Sequence, residues 1–257
     1  MNKLSKILAF EMRKAFHSKR FFLWTILSVA LSCVYLLLTY VMYIADTGEL
    51  HNAFVENGVL SVMKFFSTSP VCFCIAMFIC DFICDDFSSG ILKNVFSKGH
   101  TRKTVFTGKL VSSGIIAVVM SVLSSIAVFL LSTALFNDMG TFEPINILQY
   151  IILTLGIVAF ANLFTMLCAL FKKSAPAIAL SILALILLPI GISMAESNLH
   201  LDKLPFDISY IWLGSAIEKL AVGTPSTGVI IPGVISILAY IVVIYFVTIA
   251  SVKKIEV

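Results

Sequence analysis

The chain has 257 residues, of which 60% are hydrophobic and 12% charged, with a net charge of +4 and a mean hydropathy of +1.04. Soluble domains carry roughly 25% charged residues, so this composition excludes a packed soluble core under a wet surface. The length holds one membrane domain, residues 1–257, with short loops and no separate soluble domain.

Residues 1–20 come first. Leu4, Ile7, Leu8, Met12, Ala15 and Phe16 recur at helical spacing, and Lys3, Lys6, Arg13 and Lys14 lie mostly off that stripe. The pattern predicts an amphipathic helix lying in the membrane interface. Six long apolar runs follow, at 21–44, 65–84, 105–136, 146–171, 176–195 and 229–252. A span needs about 20 apolar residues, and all six meet that. Strict apolar–polar alternation is missing, so helices rather than a closed β-barrel are expected. The third run has no charge from Leu110 to Phe136, about 40 Å as a helix, so it must tilt or outrun the hydrocarbon. Pro189 and Gly191 are expected to kink or break the fifth. The first run is too long for a cleaved signal and reads as a retained anchor.

Charge sets the orientation. Of 18 Lys and Arg residues, 15 fall in the N-terminal segment, in the 85–104 loop with Lys109, at Lys172 and Lys173, and at Lys253 and Lys254. The other loops hold only Lys64, Lys203 and Lys219, beside Asp46, Glu49, Glu56, Asp138, Glu143, Glu196, Asp202, Asp207 and Glu218. The positive-inside rule then places both termini in the cytosol. The basic balance reports topology and implies no nucleic acid. The 45–64 and 137–145 loops and the long 196–228 loop are external. In the last, residues 208–213 (ISYIWL) read either as a short re-entrant helix or as an aromatic belt carrying Tyr210 and Trp212.

Catalytic chemistry is not legible. The four histidines, His17, His51, His100 and His200, lie outside the spans, and no zinc-protease or phosphate-loop motif occurs. Serines such as Ser121, Ser124 and Ser125 read as bonding the preceding helical turn. The six cysteines lie in apolar runs and read as small buried hydrophobes, with no disulfide expected. Neither a metal nor a cofactor is expected in this chain.

The cytosolic loop 85–104 is informative. After Gly90, residues Ile91, Leu92, Val95 and Phe96 make one helical face, Gly99 supplies a stop and Thr101 a cap for the next helix. That face implies a docking or force-transmitting helix rather than a solvated loop. Asp81 and Asp85 share a helix face, and Lys109 can pair with either as an ion pair at the inner mouth.

The layout, with the run Asp86-Phe87-Ser88-Ser89-Gly90-Ile91-Leu92-Lys93, then Phe96-Ser97-Lys98-Gly99, Arg102 and Gly108-Lys109-Leu110, resembles the membrane subunit of an ABC-2-type (type V) exporter. It is most similar to small permeases of bacitracin resistance, lantibiotic self-protection and amphipathic-peptide export. The resemblance implies an all-α fold of six spans with an N-terminal interfacial helix, in a bacterial plasma membrane. It implies a dimer with a second permease chain, the same or related, on two separate ATPase subunits that hold ATP and Mg. Asp86, Gly90, Ile91, Leu92, Val95 and Phe96 would then couple to the ATPase, and a peptide or amphipathic substrate would move outward. A non-transporting immunity or sensor protein that captures antimicrobial peptides is the alternative.

Overall fold

The computed structural model describes residues 3–45, 57–67, 70–199, 208–221 and 227–253. The other residues, among them His51, Pro205, Phe206 and Lys254, lie outside the described set, so the expectations placed on them do too. The described chain is all-helical: α1 Lys3–Phe16, α2 Lys19–Ala45, α3 Gly58–Ser67, α4 Pro70–Ser88, α5 Ile91–Ser97, α6 Arg102–Phe136, α7 Pro144–Phe171, α8 Ser174–Leu199, α9 Leu213–Ala221 and α10 Thr227–Lys253, with a 3-10 turn at Ile208–Ile211. No strand occurs among the described residues.

Helices α2, α6, α7, α8 and α10 are long and apolar enough to cross a membrane. They contain the predicted runs 21–44, 105–136, 146–171, 176–195 and 229–252. The predicted second span, 65–84, covers parts of two helices. It is divided between α3 and α4, which are inclined at 46°, and counts as a sixth crossing only if the pair is taken together. Pro70 opens α4, where its missing N–H costs nothing. The first N–H groups of α3 are met from elsewhere: Gly58 N donates to the Asp138 carbonyl at 3.0 Å and Val59 N to that of Met139 at 3.2 Å. The chain is thus a multi-pass membrane protein.

Helix α8 continues through Pro189 and Gly191 without a break. Helix α6, at 35 residues, extends about 52 Å, well beyond a hydrocarbon layer of about 30 Å.

The core is built on α4 and α7, whose sides are mostly buried, while α2, α8 and α10 expose Leu38, Leu183, Phe246 and similar side chains outward. Cys72, Cys74, Cys80, Cys84 and Cys168 pack in that core as small groups, and Cys33 is half-buried. Small hydroxyls join the helices. Ser28 meets Ser124 at 2.9 Å, Ser61 meets Ser132 at 2.6 Å and Thr165 donates to Ser113 at 2.9 Å. Such interhelical bonds substitute for the hydrophobic effect that lipid removes. Ser121 and Ser125 bond the preceding turn as expected, but Ser124 reaches across to α2.

In the 208–213 stretch Ser209, Trp212 and Leu213 are buried, Tyr210 is half-buried and Ile211 is exposed. Residues 208–211 form the 3-10 turn, and the helix begins one residue after Trp212. Trp212 is buried and packs edge-on against Phe160 and Tyr240. Helix α9 is wedged between two glycines. A Cβ on Gly156 of α7 would lie 2.6 Å from Ile217 Cδ1, and one on Gly233 of α10 would lie 2.7 Å from Leu220 Cδ1. The Gln149 amide donates to the Leu220 carbonyl and Tyr240 Oη to that of Ile211, so backbone groups leaving the helical pattern stay satisfied.

Candidate functional site

The basic end of the bundle gathers α1, α5, the tail of α4 and the foot of α6. Helix α1 packs on most of its predicted stripe: Ile7 and Ala15 are buried and Leu8, Met12 and Phe16 half-buried, with Leu4 left exposed. It buries Ile7, Glu11 and Ala15, one residue per turn along a single row, and leaves Leu4 and Phe10 largely exposed. Gly108 makes the approach possible, since a Cβ there would lie 2.7 Å from Ile7 Cγ2. The chain then turns at Ser18, whose carbonyl accepts from Phe21 N at 3.1 Å, and Phe16 and Phe21 pack edge to face at 5.0 Å.

Where α1 crosses α6, charges are buried together. Lys109 is 1% exposed and Asp86 is 1% exposed. Lys109 Nζ donates to Glu11 Oε1 at 2.9 Å and also to Asp86 Oδ2. Lys14 Nζ reaches Asp86 Oδ1 from the other side and lies 4.2 Å from the centre of the Phe82 ring. Lys109, Glu11 and Asp86 are buried together, and the partly exposed Lys14 adds a second ammonium group at their edge. Buried ions need such compensation, because each alone loses several kcal/mol of hydration (~).

The expected pairing of Lys109 with Asp81 or Asp85 is corrected. Asp81 and Asp85 do share a face, but it turns to α2, where Arg20 Nη1 donates to Asp81 at 2.8 Å and to Asp85. Asp86, one residue on and about 100° around the helix, takes Lys109. Arg20 is 55% exposed, so this outer pair is a weak one. Replacing Arg20 with Gln is expected to change stability in detergent by no more than about 1 kcal/mol, read as the midpoint of unfolding.

Helix α5 forms where predicted. Gly90 at φ +70° turns the chain out of α4, and Gly99 at φ +78° ends the segment. A Cβ would meet no atom within 4 Å at either, so backbone conformation alone asks for glycine there. Thr101 caps α6 by accepting from Thr104 N at 3.3 Å. The predicted apolar face is only partly free. Leu92 is buried with Ile7, Val105 and Phe106, whereas Ile91, Val95 and Phe96 are half-buried. Between α1 and α5 lies a groove of about 300 Å³, walled by Phe10, Ile91 and Val95 and edged by Lys98. Glu11 Oε2 and His100 Nδ1 line it, buried and without a hydrogen-bond partner.

Sequence reasoning missed Glu11, Lys14 and Arg20. Glu11 had a signal, as the sole acid among the first 20 residues, set on the Ile7–Ala15 row. No family model matches the chain, and no curated protein matches it.

Proposed function

We propose that this chain is the membrane-spanning subunit of an ATP-driven exporter of the ABC-2 type, and that it moves a peptide-like, amphipathic or lipidic substrate outward from the cytosol or inner membrane of a bacterium. In this reading the basic end faces the cytosol, a dimer of separate ATPase subunits holds ATP and Mg, and a second permease chain completes the path. One observation carries it: the half-open apolar face of α5 sits directly above the buried Glu11–Lys109–Asp86 network. A force applied to α5 would reach α1, α4 and α6 as one body, because those three helices share the network and Leu92 is rooted in the same small core.

Phe96→Asp tests it. The change puts a charge on the half-buried face of α5, outside every crossing helix. ATPase association in mild detergent and substrate efflux are expected to fall at least tenfold, with insertion unchanged. Normal association and efflux would remove α5 as the coupling element. Orientation is tested separately in a cysteine-free background. Asn137→Cys is expected to react with an impermeant maleimide in whole cells and Ser97→Cys is not; the reverse pattern would invert the topology.

A second reading, a non-transporting immunity or sensor protein, draws on the other end. There α3, α6, α7 and the loop before α7 line an open apolar pocket of about 380 Å³, with Val59, Phe129, Phe142 and Tyr150 in its walls. It is favoured if Phe96→Asp leaves peptide resistance intact while a bulky Val59→Trp abolishes it.

A further inference from the structure

Helices α7 and α8 are each long and apolar enough to cross a membrane, and only Lys172 and Lys173 lie between them. So short a link fixes both lysines at the edge of the hydrocarbon layer. Lys172 N donates to the Cys168 carbonyl at 2.9 Å and closes α7 with φ +56°. Among the described residues the other non-glycine position at positive φ is Asn137, and asparagine tolerates that conformation. Lysine does not: its Cβ crowds the following carbonyl, and glycine is the usual residue after a helix. A cation gains from the C-terminal dipole of α7, but Lys173 supplies that charge from an ordinary backbone. A strained residue kept where an unstrained one would serve points to a role for its side chain.

Both lysines are exposed, and neither forms an ion pair among the described residues. The described carboxylates of this end are already taken: Glu11, Asp81, Asp85 and Asp86 are held by Lys109, Lys14 and Arg20. Directly on the membrane side of the two ammonium groups, Leu170 is 46% and Phe171 43% exposed, and Pro176 is exposed on α8. Unpaired positive charge and bare apolar surface therefore adjoin within one helical turn. A zwitterionic lipid covers the apolar part but brings its own cation to the lysines. An acidic protein surface meets the charge but does not follow Leu170 and Phe171 into the hydrocarbon. A phospholipid of net negative charge satisfies both at once.

We propose that the α7–α8 turn binds an anionic phospholipid of the adjoining leaflet, its phosphate neutralising Lys172 and Lys173 and an acyl chain lying along Leu170, Phe171 and Pro176. The site stands apart from the α1–α5 platform and does not depend on the transport reading.

The test uses the full chain in phosphatidylcholine nanodiscs. These carry, as a minor component, photoactivatable phosphatidylglycerol or photoactivatable phosphatidylcholine, with the diazirine on the acyl chain near the glycerol. Labelled peptides are mapped by mass spectrometry. Phosphatidylglycerol is expected to label residues 170–176 more strongly than phosphatidylcholine, by about fivefold for each lysine. Lys173→Gln is expected to remove one such factor, and Lys172→Gly with Lys173→Gln the whole preference. The maleimide pattern of Asn137→Cys and Ser97→Cys is expected to stay unchanged in that double variant, which shows that the chain still inserts in one orientation. Lys93→Gln with Lys98→Gln, two exposed lysines of α5, is expected to leave the labelling of 170–176 as it was. Equal labelling by the two lipids in the unaltered protein, or a preference that survives the loss of Lys172 and Lys173, would overturn the proposal. A preference lost equally with the α5 pair would also overturn it, because the lipid would then follow general surface charge. So would absence of labelling by either lipid together with cross-linking of a Lys172→Cys chain to a copurifying protein, which would mean that a protein covers the turn.

Discussion

Replacing Lys109 with methionine is expected to destabilise the protein by about 3–5 kcal/mol, because Glu11 and Asp86 would be left buried without their shared cation. Methionine keeps the length and apolar stem of lysine, so packing is nearly conserved and the loss reads the charge. Lys14 cannot make up the deficit, since it reaches Asp86 only and is partly exposed. Unfolding in mixed micelles is the measurement. The neutralised triple variant Glu11→Gln, Asp86→Asn, Lys109→Met is expected to recover most of the loss, because buried ionic groups cost more unpaired than absent. A single Lys109→Met variant as stable as the parent would show that water reaches the network.

The second large effect is expected at the other end. Gly233→Leu has no room: a Cβ there already lies 2.7, 2.9 and 3.0 Å from three side-chain atoms of Leu220. These are the branch carbon and both terminal methyls of Leu220, and Leu220 is itself fully packed, so the methyls have little room to turn away. Overpacking of this kind costs about 1–3 kcal/mol. Here the cheapest relief is to unseat α9, since its nine residues are short and cannot stand alone as a helix. The readout is a cysteine at Ala216, buried in the parent, which is expected to pass from protected to maleimide-reactive. Continued protection would mean that α10 moves instead.

Much of this architecture was legible in the sequence because lipid simplifies the code. Five apolar runs fixed five helices, and Gly90, Gly99 and Thr101 fixed the limits of α5 and the start of α6, since left-handed turns and caps are local properties. The break between α3 and α4 did have a local signal, the run Ser67-Thr68-Ser69-Pro70, which a reading by apolar length alone passes over. Choosing among Asp81, Asp85 and Asp86 as the partner of Lys109 needed the rotation of α4 within the bundle, which side-chain identity does not carry. Glu11 pairs across 98 residues of chain, and only the crossing of α1 over Gly108 brings it there. The two glycines that seat α9 looked like any other small residues in apolar helices, for their meaning lies in what faces them.

The seating of α9 has a mechanical consequence. A helix lodged in two notches, with one carbonyl held by Gln149, has no comfortable half-way position: a slide of a single residue lifts Ile217 and Leu220 out of their notches at once and breaks that bond. The element therefore works as a detent, either home or released. Any rearrangement of the acidic end that involves α9 would proceed as a click with a defined threshold, and a spectroscopic label on it would jump between two levels instead of drifting along a slope.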